Sequence, residues 1–358
     1  MESTLSFDPQ DILRSLDAFA KSRDRAVVVT HDNPDPDAMA GAAGLAFLLQ
    51  ERVGLSARLA YGGIIGRAEN QAMARLIRPS LTPISRVAIK PNDLVALVDT
   101  QPSHGNHSLG EDARVDVVMD HHPAQDDEVP VAIVSEQHGA TSSIITVLIR
   151  AAGLVPPPEL ATALFYGVKT DTRSLSREAD EADRASYDWL YPQRDPVLLD
   201  KIEHPVVPRR WFEAFHRSIE RARIYGNVVI ADIGDVYVPD IVPEVADRLS
   251  SLSGAKWSVA FGVWEAQIYI SVRTNDGRMN AGKRLVSLLD GLDGSAGGHG
   301  MMAGAQVPLL ELSYTEARSR VGEIVGRIRA EFGVEEAEPV PLIDPMEAIA
   351  DARQAREQ

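Results

Sequence analysis

Ala26-Val27-Val28-Val29-Thr30-His31-Asp32-Asn33-Pro34-Asp35-Pro36-Asp37 is the stretch whose reading decides the fold. A short apolar run of β-branched residues suits a strand buried on both faces. The histidine and carboxylates that end it are poor core and good cation ligands. The arrangement recurs. The apolar run 94–98 leads into Asp99, the run 115–119 into Asp120-His121-His122, and the run 164–168, read as the end of a helix, into Asp171. Four apolar elements thus deliver oxygen or imidazole at their carboxyl ends, which points to metal-dependent hydrolytic chemistry.

Helical and strand signals alternate around these points. Residues 8–21 read as an opening helix, with Asp8 as N-cap, Pro9 in the first turn and a stripe of Ile12, Leu13, Leu16 and Phe19. A helix over 38–53, rich in Ala and Gly at its start, follows the first loop. Strands are expected at 56–61, 94–99, 115–120 and 131–134. The implied fold is α/β: a mostly parallel sheet flanked by helices, covered on both faces, with ligands at the carboxyl ends of its strands. Beyond it, strands at 228–233, 257–264 and 267–273 and helices at 281–289 and 315–332 imply a smaller α/β C-terminal domain. The Gly-rich run 294–300 is read as a turn between those helices. The expected division is a first domain over 1–199, a linker helix over 200–225, a second domain over 226–333, and an acidic tail over 334–358 ending in a short helix or mobile. An active site is expected in the cleft between the domains.

Composition narrows the chemistry. The chain has 358 residues, no cysteine and a formal charge of −16. Thiolate zinc sites, iron–sulfur clusters and cysteine nucleophiles are excluded. A strongly acidic chain is a poor partner for long duplex nucleic acid, whose affinity comes largely from phosphate neutralisation. No apolar run approaches the roughly 20 residues that span a bilayer, and the first residues lack a signal-peptide pattern. A cytoplasmic protein without membrane partners is expected.

His31, Asp35, Asp37, Asp99, His121 and Asp171 supply two imidazoles and four carboxylates. This exceeds what one catalytic ion with open positions requires. It suits two divalent ions about 4 Å apart sharing a carboxylate. Imidazole shifts preference toward Mn²⁺, with Mg²⁺ and Co²⁺ also compatible. Taken singly, each aspartate reads first as a helix cap or turn residue, and Asp37 as the cap of the helix after it. Their joint recurrence favours a metal site. His104, His107 and His138 lack matching spacing and read as substrate-side or plain loop residues.

These motifs together resemble the DHH phosphoesterase family with its associated C-terminal domain: His31-Asp32-Asn33-Pro34-Asp35-Pro36-Asp37-Ala38, Val98-Asp99-Thr100, Asp120-His121-His122, Gly167-Val168-Lys169-Thr170-Asp171-Thr172 and Gly297-Gly298-His299-Gly300-Met301-Met302-Ala303-Gly304. Ala296 and Gly304 depart slightly from the last motif. Within the family the resemblance is to nano-RNase/pAp phosphatases and to phosphodiesterases acting on the linear products of cyclic dinucleotides. It implies one ion on His31, Asp35 and Asp99, a second on Asp37, Asp99, His121 and Asp171, and a bridging water as nucleophile. His122 and Asp120 would orient His121 or touch phosphate. Asn33 would shape the loop or contact substrate. Arg273, Asn280, Gly298 and His299 would bind substrate from the second domain, and a homodimer through the first domain is implied. The substrates expected are very short oligonucleotides, 3′-phosphorylated nucleotides such as pAp, and linear or cyclic dinucleotides. A manganese-dependent inorganic pyrophosphatase or exopolyphosphatase, and a non-catalytic nucleotide sensor, are the competing readings.

Overall fold

The structure is a computed structural model that describes residues 7–110, 113–177, 179–309 and 314–343. The chain divides into two units between Val206 and Val207.

The first unit runs α1 (Pro9–Ala20), β1 (Ala26–Thr30), α2 (Pro36–Val53), β2 (Ala57–Tyr61), α3 (Ala68–Leu76), β3 (Leu81–Pro83), β4 (Leu94–Val98), β5 (Val117–Asp120), β6 (Val131–Val134), α4 (Thr141–Ala151), α5 (Pro158–Asp171), α6 (Glu181–Leu190) and α7 (Pro196–Glu203). Its six strands form one parallel sheet in the order β3-β2-β1-β4-β5-β6. β1 and β4 are buried along their whole length, which is why they read as continuous apolar runs rather than alternating ones.

Both faces of this sheet are covered, by different means. Val28, Leu59, Ala96, Val98 and Met119 face a core shared with α1, α2, α4 and α5. Val27, Val29, Val95, Leu97 and Val118 point the other way, against Ile84, Val87, Leu109, Ala113 and Val129 from irregular segments. The small residues of α2 are needed for packing: a Cβ on Gly44 would lie 2.4 Å from Ile145 Cγ2 of α4.

The second unit runs α8 (Arg209–Arg221), β7 (Arg223–Tyr225), β8 (Val228–Asp235), α9 (Ile241–Leu249), β9 (Trp257–Trp264), β10 (Gln267–Thr274), α10 (Ala281–Leu288), β11 (Ser295–His299), β12 (Met302–Pro308), α11 (Tyr314–Glu331) and β13 (Val340–Pro341). They build a mixed seven-stranded sheet, β11-β12-β10-β9-β8-β7-β13, in which only the β8–β9 pairing is parallel. One face packs on α10 and α11 and the other on α8 and α9.

Three expectations change here. The stretch 200–225 is not a linker helix. It holds the end of α7, then α8, then a sheet strand, and α8 seats Ala214, Trp211 and Phe215 in a core of the second unit. Trp211 Nε1 donates to Glu244 on α9 at 2.6 Å. The Gly-rich run is not a bare turn: residues 295–299 are strand β11, paired with β12. The tail begins as sheet, because Val340 and Pro341 pair with β7 and Leu342 enters the α8–α9 core. The short helix expected from Pro345 lies outside the described residues.

Candidate metal centre

The site begins where β1 ends. Asp35 caps α2, its Oδ1 accepting from the amides of Asp37 (2.9 Å) and Ala38 (3.1 Å), so the helix starts at Pro36. That assigns the capping role to Asp35 rather than Asp37. Asp37, fully buried, instead crosses to the start of α4. Its two oxygens accept from the amides of Thr141 (2.6 Å) and Ser142 (2.8 Å), orphan donors that favour an anion. Asp99 follows β4 with φ +62°, a left-handed conformation uncommon outside glycine and a mark of a constrained site. It is 2 % exposed, and its Oδ1 accepts from Thr141 Oγ1 at 2.8 Å.

Each imidazole is aimed by its other nitrogen. His31 Nδ1 donates to Asp32 O (2.9 Å), which turns Nε2 toward Asp99 Oδ2 (3.4 Å) and Asp35 Oδ1 (3.9 Å). His121 Nδ1 donates to His138 O (3.1 Å), which turns Nε2 toward Asp171 Oδ2 (3.1 Å) and Asp99 Oδ1 (3.5 Å). A backbone carbonyl on Nδ1 fixes the tautomer with its lone pair on Nε2, the arrangement that suits a metal ligand. His121 Nε2 is buried and makes no aligned hydrogen bond. A buried nitrogen that meets its carboxylate neighbours only at ion-pair distance is suited to a cation ligand.

Ligand atoms cluster in three groups, each within 4.8 Å: His31 with Asp35 and Asp99; Asp37 with His121 and Asp171; Asp99 with His121 and His122. Asp99 joins two of them. The donor set of imidazole nitrogen and carboxylate oxygen fits divalent transition ions. His122 is held by Asp120, Nδ1 to Oδ1 at 2.9 Å, and Asp120 Oδ2 accepts from Gln101 Nε2 at 2.6 Å.

Charge crowding is visible in the protonation of the side chains. Burial, with the charges of Asp99 and Asp171, holds the Asp37 carboxyl well above the usual carboxylate range. Burial also raises Asp171. For His31 and His121 burial opposes the charged form, but Asp35 and Asp99 around the first, and Asp171 and Asp99 around the second, carry both well above an ordinary histidine. Against its burial, the Asp35 carboxyl is in turn held down, to about 2, with help from His31, so crowding and pairing act together in the cluster.

Other expected residues have local duties. Asn33, at φ +57°, accepts from Ile64 N at 2.9 Å and ties its loop to the one after β2. Arg273, expected as a phosphate fork, pairs its Nε edge with Asp247 and donates from Nη1 to Ser271 Oγ and Val272 O. Asn280 caps α10, accepting from Lys283 N at 2.9 Å. Gly298, at φ +138°, is required by packing, since a Cβ there would lie 2.5 Å from Ala303 Cα. The side chain of His299 lies outside the described residues. His104 and His107 bond the carbonyls of Pro123 and Pro102, and buried His138 bonds Asp180.

Gln101, Thr141 and Ser142 were not singled out in the sequence. A small polar pair at the start of the apolar run 144–149 is an ordinary helix-start signal, and only the fold shows which carboxylates it meets.

Known proteins can be set beside this geometry. Residues 25–168 match the model of the DHH family, N-terminal domain, and residues 226–327 match that of the DHHA1 domain. The chain is 33% identical over 318 residues to an uncharacterised protein of Methanocaldococcus jannaschii, covering 87% of this chain and 65% of that one. It is 25% identical over 355 residues to a cyclic-di-AMP phosphodiesterase of Geobacillus thermodenitrificans, covering 91% and 51%. It is 29% identical over 154 residues to a probable manganese-dependent inorganic pyrophosphatase of Streptococcus suis, covering 42% and 49%. The chain thus spans about half to two thirds of the length of these relatives. In fold it is similar to an exopolyphosphatase-related protein of Bacteroides fragilis, with a TM-score of 0.71 at 15% identity, covering 90% of this chain and 97% of that one. Among the described residues no helix is long and apolar enough to cross a membrane.

Proposed function

The chain belongs to the DHH family, with a DHHA1 domain after its DHH domain, and from that premise we propose that it is a two-metal phosphoesterase acting on very short oligonucleotides or 3′-phosphorylated nucleotides. The observation that carries this is the convergence of His31, Asp35, Asp37, Asp99, His121 and Asp171, with His121 Nε2 aimed into them.

His31, Asp35 and Asp99 would hold one divalent ion. Asp37, His121 and Asp171 would hold the other, with Asp99 between them. Bound ions of this kind lower the pKa of water and offset the charge of a phosphate. The chain's own residues do the rest. The α4 amides hold Asp37 in place, and two backbone carbonyls keep the imidazoles in the ligating tautomer. Asp120, steadied by Gln101, holds His122 by Nδ1, and a ring held in this way would meet a phosphate oxygen.

The nucleotide class is supported by the match to a cyclic-di-AMP phosphodiesterase, which runs through both units. The pyrophosphatase match covers 42% of the chain and keeps hydrolysis of inorganic polyphosphates as the second reading. Purified protein with Mn²⁺, offered pApA, pAp, cyclic dinucleotides and pyrophosphate, separates them. Release of mononucleotide or of phosphate from pAp is expected. Preferential release of orthophosphate from pyrophosphate favours the second reading, and no hydrolysis under any divalent ion favours a sensor.

A further inference from the structure

One short segment, His138 to Ser142, touches three of the proposed ligands. The His138 carbonyl accepts from His121 Nδ1 at 3.1 Å. The amides of Thr141 and Ser142 donate to the two oxygens of Asp37 at 2.6 and 2.8 Å. The Thr141 hydroxyl donates to Asp99 Oδ1 at 2.8 Å. The ligands concerned come from three different elements, so the segment sets their spacing relative to one another.

That segment is itself fixed from α6. Asp180 and Asp183 form a capping box there, each side chain accepting from the other's backbone amide. A capping box needs only those reciprocal bonds. Here both carboxylates make a further bond to the segment. Asp183 Oδ2 also accepts from Gly139 N at 2.7 Å, and Asp180 Oδ2 meets His138 Nδ1 at 2.7 Å. Asp183 is fully buried, so its bond to Gly139 is shielded from water.

We propose that Asp183 is a positioning residue of the metal centre, which clamps the 138–142 segment and through it aligns His121, Asp37 and Asp99. This rests on the metal-site reading above. It assigns α6 a role that the ligand list does not contain. Groups that orient metal ligands typically change affinity 10–100-fold when lost, and a clamp shared by both ion sites must weaken both together.

The test is Mn²⁺ titration of the whole chain, with free Mn²⁺ counted by its EPR signal and folding checked by circular dichroism. Asp183→Ala, which removes the acceptor for Gly139 N, and Thr141→Val should each bind Mn²⁺ about tenfold or more weakly, while Thr141→Ser, which keeps the hydroxyl, stays within about twofold of the unaltered chain. Asp93→Asn, which breaks a part-buried ion pair at the other end of the sheet, is the control. It should lose stability and keep its Mn²⁺ affinity. Unchanged binding by the Asp183 and Thr141→Val variants overturns the clamp and leaves the metal site standing. An equal loss in Asp93→Asn overturns it too, because affinity would then follow stability alone. An unaltered chain that takes up no Mn²⁺ overturns both the site and the clamp. If Asp183→Ala does not fold, Asp183→Glu, which keeps the charge but shifts the acceptor away from Gly139 N, decides by the same criterion.

Discussion

The two ends of the first sheet bury carboxylates in opposite ways. At the amino ends of β1, β4 and β5, Asp93 and Asp116 are matched by arginines. Arg25 grips Asp93 through Nε and Nη2, and Arg23 and Arg114 flank Asp116. At the carboxyl ends, Asp35, Asp37, Asp99 and Asp171 have no lysine or arginine within ion-pair distance among the described residues; only imidazoles stand beside them. The first end holds charge in closed pairs. The second leaves acceptors converging on one another, an arrangement that costs stability unless cations join it. The same sheet thus separates structural from functional acid by whether the counter-charge is built into the chain.

The largest effect expected from breaking this contrast is at Asp99. Asp99→Ala should reduce hydrolysis by about a thousandfold or more and weaken both Mn²⁺ equilibria in the same titration. Wild-type turnover would remove it as the shared ligand. Asp99→Asn sharpens the point. It relieves like-charge repulsion and suits the positive φ, so the metal-free variant should be at least as stable in urea as the unaltered chain while remaining inactive.

At the other end the sign reverses. Asp93→Asn should cost about 1–2 kcal/mol, because a part-buried charge-assisted pair with Arg25 is lost, with Mn²⁺ affinity preserved. Stability without loss would show that the two ends are not different in kind.

Protons should distinguish the ends next. The Arg25 hydrogen bond holds the Asp93 carboxyl below its usual value. Its contribution is therefore present above the unfolded carboxylate pKa of about 3.9 and is lost as pH falls through the lower folded value. Asp37 and Asp171 are raised. Their contribution is present below that same unfolded value and is lost as pH rises through the folded ones. His31 and His121 follow the same sign, favouring the fold below about pH 6.5 and less above it. In EDTA the melting temperature should therefore fall as pH climbs from 5 to 8, and Mn²⁺ should stabilise most at the upper end of that range. A Mn²⁺ effect that shrinks with rising pH would contradict the crowding.

The smallest effect concerns the second unit. Asn280→Ala should cost about 1 kcal/mol through its lost cap, read by urea unfolding. A rise in KM beyond that expected from stability would return Asn280 to the substrate site.

The first unit was legible in the sequence because a strand buried on both faces leaves an unbroken apolar run, and the polar residue that ends it stands out. β1 and β4 announced His31 and Asp99 in this way. What covers the second face of the sheet was not legible, because Ile84, Leu109 and Val129 lie in segments without periodicity. The second unit was harder for a related reason. Its glycines read as a turn, but in β11 Gly298 serves close approach: a Cβ there would lie 2.5 Å from Ala303 Cα, and one on Gly282 of α10 would lie 2.1 Å from Gly298 O. The arginines of α8 read as a solvated linker, because its inward residues Trp211, Ala214 and Phe215 are sparse among charges. That Arg273 pairs with Asp247, 26 residues earlier, is likewise not written in the sequence. Pairings between distant residues are tertiary facts, and local pattern carries no trace of them.

The account stands or falls on whether the crowded end of the sheet takes up cations. Crystals grown with Mn²⁺, measured at the manganese edge, should show anomalous density at that end in two peaks. One should be ligated by His31, Asp35 and Asp99 and the other by Asp37, His121 and Asp171, with Asp99 between them. Anomalous density elsewhere with none among these side chains would contradict it.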